Sequence, residues 1–186
     1  MDTPTIEAYP PDVPRTSDEA IRVGNLSHRY GARHALRKVS FSIATSEISG
    51  FLGPNGGGKS TLFRILTTLI PPTEGEVRLL GKDPTNQLIP VRREVGVVFQ
   101  APSLDPLLTA NENLLHQGHL YGLWGGSLRS RITELLERFG LADRRRERVG
   151  GFSGGMRRRL EIAKSLLHRP RLLVLDEPST GLDPTA

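Results

Sequence analysis

The stretch Gly53-Pro54-Asn55-Gly56-Gly57-Gly58-Lys59-Ser60-Thr61 decides how this chain is read. It matches G-x-x-x-x-G-K-[ST], and its flanks suit the motif. Residues 47–52 read as a buried strand running into it. From Ser60, Leu62, Ile65, Leu66 and Leu69 recur at helical spacing until Pro71-Pro72 stops the helix. The glycines leave no Cβ in the way, so main-chain N–H groups can wrap an anion. The positive end of the following helix points at the same place. In such a cradle Lys59 reaches the β- and γ-phosphates of a nucleoside triphosphate, the Ser60 hydroxyl ligates Mg²⁺, and Thr61 donates to the α-phosphate. A plain glycine-rich turn is the alternative, and the strand before and helix after argue against it.

Further along, the apolar run 172–175 delivers Asp176 and Glu177 to its C-terminal end, where open α/β sheets bind ligands. Two adjacent acids there repel unless something positive sits beside them. A Mg²⁺ held by Asp176, directly or through water, meets that need. Glu177 then faces the γ-phosphate, placed to orient or deprotonate an attacking water. Taken alone, the pair could equally begin a solvated loop.

The remaining pattern alternates. Residues 21–23 and 41–43 read as strands around a turn at Gly31, and 77–80 and 95–99 as short strands, the last ending at Gln100. Residues 106–123 look helical but irregular. Ser127 reads as the cap of a cleaner helix with Ile132, Leu135, Leu136 and Phe139 on one face and Gly140 as its stop. Ser153-Gly154-Gly155 opens another, with Leu160, Ala163, Leu166 and Leu167 inward. Strands alternating with helices point to an α/β fold with a mainly parallel, doubly covered sheet.

Composition narrows the function. The 186 residues include no cysteine, which excludes disulfides, Cys-ligated zinc, iron–sulfur clusters and thiol nucleophiles. No run of 18 apolar residues occurs, so nothing reads as a membrane-spanning helix. Residues 1–20 hold five acids, one arginine and several prolines, and lack the basic and apolar regions of a secretory signal. They read as a disordered acidic leader. The rest is basic, in a chain of net charge +5 whose Lys+Arg total of 25 is nearly all arginine. Arginine pairs with carboxylate and phosphate in a bidentate way, leaving nucleotide, nucleic acid and acidic lipid open as partners.

The order of residues 53–61, Gln100, Phe152-Ser153-Gly154-Gly155-Met156, 172–177 and Ser179-Thr180-Gly181-Leu182-Asp183 resembles that of an ABC-transporter ATPase subunit, over about residues 21–186. The Ser-Gly-Gly signature discriminates, since the phosphate loop alone defines only the broad P-loop NTPase class. The resemblance implies a RecA-like, mainly parallel sheet with a small antiparallel β subdomain and a helical signature subdomain at about 101–165. It implies a homodimer that sandwiches two ATP molecules, each phosphate loop facing the partner's signature. Ser153, Gly154 and Gly155 would then contact the γ-phosphate held by the partner, as free N–H groups at a helix start allow. Gln100 would sense Mg²⁺ and water and couple to an integral membrane permease, Tyr30 would stack on adenine, and Asp183 would link the two ATP sites. Gly57 stands where the family more often has Ala, and Phe152 and Met156 replace the commoner Leu and Gln. Phe152-Ser153-Gly154-Gly155-Met156-Arg157-Arg158-Arg159-Leu160-Glu161 resembles the daunorubicin-resistance branch of drug exporters, which places the chain peripherally on the cytoplasmic side of the cell membrane.

The family carries a switch histidine on a strand roughly 30 residues beyond the catalytic glutamate, and that strand lies between the phosphate-loop strand and the one ending at Asp176. None of the five histidines here serves. His116 and His119 share a helix face, and His168 reads as a helix-end cation. The expectation is therefore a cassette lacking C-terminal core strands, hydrolysing ATP poorly alone. Rival readings are weaker. A chromosome-organising ATPase needs a long coiled coil between Gln100 and Ser153, an excision-repair ATPase needs cysteine-ligated zinc, and a two-cassette translation factor needs a second phosphate loop. The arginines at 144–146 and 157–159 read as a solvated face rather than a nucleic-acid stripe. Intact Lys59, Asp176 and Glu177 argue against a non-catalytic binding module.

Overall fold

The structure, a computed structural model, describes residues 19–54 and 56–176. It forms two compact units, the first ending at Arg92 and the second beginning at Arg93.

The first unit is built on a hairpin. β1 (Glu19–Tyr30) and β2 (Arg33–Ala44) pair antiparallel around a turn at Gly31, and β3 (Glu74–Leu79) pairs antiparallel with the other edge of β1. β1 is therefore the central strand, with Val23 opposite Phe41 on one side and Val77 on the other. Leu26 and Leu79 are fully buried, and each such leucine contributes about 1.5–3 kcal/mol. The register of β1 shifts between Val23 and Leu26. There Asn25 takes φ 49° and its N–H donates to Ser40 Oγ at 2.8 Å. Gly75 passes so close to this bulge that a Cβ on it would lie 2.5 Å from Asn25 O. β1 begins at Glu19, inside the stretch read as a leader; residues 1–18 lie outside the described residues.

One expected strand is absent. Residues 47–52 belong to neither sheet, and Ile48 and Leu52 are 100% and 91% exposed. Only Phe51 finds a ring partner, edge-on to Phe41 at 5.0 Å. An apolar run becomes a strand only where a neighbour accepts its ladder hydrogen bonds, and among the described residues none does. α1 (Lys59–Leu66) buries Leu62, Ile65 and Leu66 as its spacing predicted. It ends before Leu69, which is exposed, and before the proline pair.

α2 (Leu88–Glu94) leads into the second unit, where β4 (Val95–Val98) and β5 (Leu172–Leu175) pair in parallel. The α/β class stands, although parallel pairing among the described residues is confined to these two strands and Leu173 and Leu175 remain partly exposed. α3 (Ala110–Leu120), α4 (Gly125–Arg138) and α5 (Gly154–Ser165) share a core of Leu114, Leu128, Ile132, Leu135, Leu136 and Leu160. Thr109 and Glu112 form a capping box on α3, and the Thr109 amide and hydroxyl hold the Glu112 carboxyl below its ordinary pKa. Ser127 is not a cap: α4 starts earlier, with Trp124 at the N-cap, and Ser127 Oγ donates to Trp124 O instead.

His168 also departs from expectation. It stacks on Tyr121 at 3.8 Å with Nε2 3.2 Å from Val95 O, and burial pushes its pKa down, an effect the Val95 contact partly offsets. The fold thus favours the neutral ring rather than a helix-end cation. Because the folded pKa is lowered, this contribution is complete above the ordinary value of about 6.5 and fades as pH falls below it toward the folded value. Chemical denaturation across this range should show stability rising with pH, and His168→Gln should flatten that rise. An unchanged slope in the variant would assign the pH dependence to other groups.

Candidate functional site

The phosphate loop belongs to the first unit. Gly57 N–H donates to Pro54 O at 3.1 Å, closing the turn, and Leu62 N–H donates to Gly58 O at 2.9 Å, starting α1. Gly58 is the N-cap, at φ 90°, and a residue without a side chain cannot cap. The opening turn therefore offers N–H groups that no side chain of the cap satisfies. The glycine is required there. A Cβ at position 58 would lie 2.5 Å from Ala35 O and 2.8 Å from Leu36 Cδ2, in β2. Packing against the hairpin thus sets where α1 begins.

Lys59 Nζ folds back across the loop, donating to Gly53 O and to Pro54 O, the latter at 2.8 Å. Among the described residues these two carbonyls are its hydrogen-bond partners. Ser60 is exposed beside it, while Thr61 is buried. Gly53, Pro54 and Gly56 are exposed, and Asn55 lies outside the described residues. Tyr30, at the end of β1, is 45% exposed and meets His28 edge-on at 4.7 Å, leaving ring surface open to a planar ligand.

In the second unit, Gln100 stands exposed in the bend after β4, and Asp176 follows β5. Asp176 N–H donates to Val98 O at 2.9 Å, so the parallel ladder itself brings the two strand ends together. Ser153 caps α5, its Oγ accepting from Met156 N–H at 3.2 Å. Gly154 is exposed and Gly155 partly so, whereas Phe152 is buried in the helical core and anchors the turn from behind. Glu177 and Asp183 lie outside the described residues.

The structure adds three residues to which the sequence assigns no part in the site. Arg158, in the arginine run taken for a solvated face, is only 7% exposed. Its Nη1 donates to Phe99 O at 2.8 Å and its Nη2 to Asp176 O at 2.9 Å. Glu161, buried one turn on, accepts from Ser103 N–H and Ser103 Oγ, both at 2.6 Å. Lys164 donates to Ser103 O at 2.6 Å, and burial pushes its pKa down against the opposing pull of Glu161. Their spacing was visible: 158, 161 and 164 fall three apart, on one helical stripe.

A glycine-rich turn leading into an uncapped helix, with a lysine folded over it, is the arrangement of the phosphate-loop class of fold. Residues 36–180 match the family described as ABC transporter, and the chain belongs to that family. It is 45% identical to the daunorubicin resistance ATP-binding protein DrrA3 of Streptomyces coeruleorubidus, over 90% of this chain and 53% of that protein. It is 44% identical to the Nod factor export ATP-binding protein I of Sinorhizobium fredii, over 91% of this chain and 50% of the relative. The chain thus spans about half the length of such curated relatives. Among solved structures, an ATP-binding subunit of an ABC transporter superposes with a TM-score of 0.79 at 32% identity, over 89% of this chain and 69% of that one. The ATP-binding cassette MJ0796, dimeric and bound to ADP and Pi, gives 0.77 at 32% identity, over 89% of this chain and 77% of that one. No helix among the described residues is long and apolar enough to cross a membrane.

Proposed function

We propose that this chain is the ATP-binding, ATP-hydrolysing part of an exporter of drug-like or lipophilic small molecules. It works as a homodimer held peripherally on the cytoplasmic face of an integral membrane permease. The observation that carries the reading is the cradle of residues 53–61, with Lys59 folded over an uncapped α1. The kinship with drug-resistance and Nod factor export ATP-binding proteins supports the transport half of the reading.

The donor set fits ATP with Mg²⁺. A glycine at 58 that packing forbids to carry a side chain leaves N–H groups free of a side-chain cap, and Ser60, exposed in the first unit, and Asp176, in the second, each carry the hard oxygen that Mg²⁺ prefers. Mg²⁺ held by such oxygens would supply positive charge to offset that of the triphosphate. The chain's own groups do the rest. Lys59 holds the β- and γ-phosphates, and Thr61 donates to the α-phosphate. Tyr30 stacks on adenine and Gln100 orients the water side. Glu177 orients the attacking water or takes its proton. Ser153, Gly154 and Gly155 present N–H groups to ATP held by the other protomer, and Asp183 links the two sites. Nucleic acid has no part in this scheme.

The test is assembly. With Glu177→Gln blocking hydrolysis and ATP saturating, sedimentation should give twice the protomer mass, and Ser153→Arg should abolish the doubling. A protomer that stays single at millimolar ATP would contradict the sandwich.

A further inference from the structure

Three side chains on one stripe of α5, Arg158, Glu161 and Lys164, bond to the segment between β4 and α3, and Arg158 also reaches the end of β5. Arg158 spans two carbonyls, those of Phe99 and Asp176, which terminate adjacent parallel strands. A guanidinium is suited to this: its two Nη groups lie in one plane and donate in parallel, so the bonds set spacing as well as affinity. One turn on, Glu161 accepts both the amide and the hydroxyl of Ser103. A further turn on, Lys164 donates to Ser103 O and, at 3.1 Å, to Ser103 Oγ. The segment 99–103 is therefore gripped at both ends, with Gln100 in between. The same helix begins at the Ser153 cap, five residues before Arg158.

Burial makes these bonds matter. Arg158 and Glu161 are 7% and 6% exposed. Breaking one partner strands a polar or charged group away from water, which costs far more than an exposed contact would.

We propose that Arg158, Glu161 and Lys164 form a strut along α5 that holds Gln100 and Asp176, the metal-side residues of the proposed site, in register with the Ser153 turn. They are positioning residues: none need touch nucleotide or ion. The inference rests on the reading of Gln100 and Asp176 given above. It adds that the metal side of the site is set from the signature helix rather than by the strands alone. The strut lies wholly within the second unit, whereas the phosphate cradle lies in the first, so the two can be perturbed separately.

The experiment uses the whole 186-residue chain and two measurements. In hydrogen exchange read by mass spectrometry, Arg158→Gln and Glu161→Gln should each speed exchange across residues 99–103 by about tenfold or more, leaving β1–β3 unchanged. Labelled-ATP retention is then followed against Mg²⁺ concentration. Removing a group that orients a metal ligand typically costs 10–100-fold in metal affinity, so Arg158→Gln should raise the half-saturating Mg²⁺ at least about tenfold. Retention in EDTA, where the cradle acts alone, should stay within about twofold. Arg158→Lys, with one point charge for two carbonyls, should fall between. Should Arg158→Gln fail to fold, Glu161→Gln takes both measurements, with the same shifts expected.

Unchanged exchange at 99–103 in both variants would overturn the strut. Faster exchange with an unaltered Mg²⁺ requirement would overturn its positioning role while leaving the ATP reading intact. Absence of ATP retention by the unmodified chain would overturn the ATP reading, and the positioning role with it.

Discussion

Lys59→Ala should weaken ATP binding by about 100-fold while barely moving thermal stability. Among the described residues, the hydrogen bonds of the ammonium go to the carbonyls of Gly53 and Pro54, not to the core. Its removal therefore leaves the first unit folded. What is lost is a charge-assisted contact to phosphate together with a cation over the cradle. Hydrogen bonds to charged groups contribute roughly 1.5–3 kcal/mol, and about 2.7 kcal/mol corresponds to the stated factor. Fluorescent-ATP titration alongside thermal unfolding separates the two effects. Affinity within twofold of the unmodified chain would mean that Lys59 does not face the triphosphate.

Gly58→Ala should act the other way, through the fold. The added methyl would sit 2.5 Å from Ala35 O, a backbone atom that cannot swing aside, and 2.8 Å from Leu36 Cδ2. The φ of 90° is also one that L side chains resist. Left-handed strain of roughly 1–2 kcal/mol adds to overpacking of roughly 1–3 kcal/mol. A loss of about 2–5 kcal/mol should lower Tm by roughly 5–20 °C in a chain of this size. Nucleotide binding should fall as well, because relief of the clash lifts the start of α1 off the hairpin. Gly56→Ala is the control: its φ is 80°, yet nothing lies within 4 Å of the added carbon, so only the strain remains. Equal losses at the two positions would refute the packing argument.

What could be read from the sequence was local. The phosphate loop declares itself because one short segment supplies its turn, its charge and its helix start. The Ser153 cap was legible because a cap is written within three residues, here Ser153 and Met156. The same logic applied to Thr109 and Glu112, whose T-x-x-E spacing is a capping box that the irregular look of the surrounding residues obscured. At Ser127 the rule that serine starts helices picked the wrong residue, because Gly125, at φ 68°, lets the chain turn into α4 earlier.

Misreadings gathered where a residue's fate depends on partners distant in the chain. Residues 47–52 carry an apolar pattern fit for a buried strand, but strand status requires a neighbour, and no local signal says whether one is present. Arg158 reads, with its neighbours, as part of a solvated face. What buries it are two carbonyls 59 and 18 positions away. His168 reads as charged from its place near a helix end, while burial under the stacked Tyr121 favours the neutral state. In each case pairing, not propensity, decided the outcome.

The central claim is that residues 53–61 grip the triphosphate of ATP, and equilibrium retention of labelled ATP by the purified 186-residue chain in excess Mg²⁺ tests it most directly. One saturable site per chain is predicted, displaced by unlabelled ATP and by inorganic triphosphate but not by AMP, and reduced about 100-fold in affinity by Lys59→Ala. No saturable retention at millimolar ATP, or displacement by AMP as effective as by triphosphate, would contradict the claim.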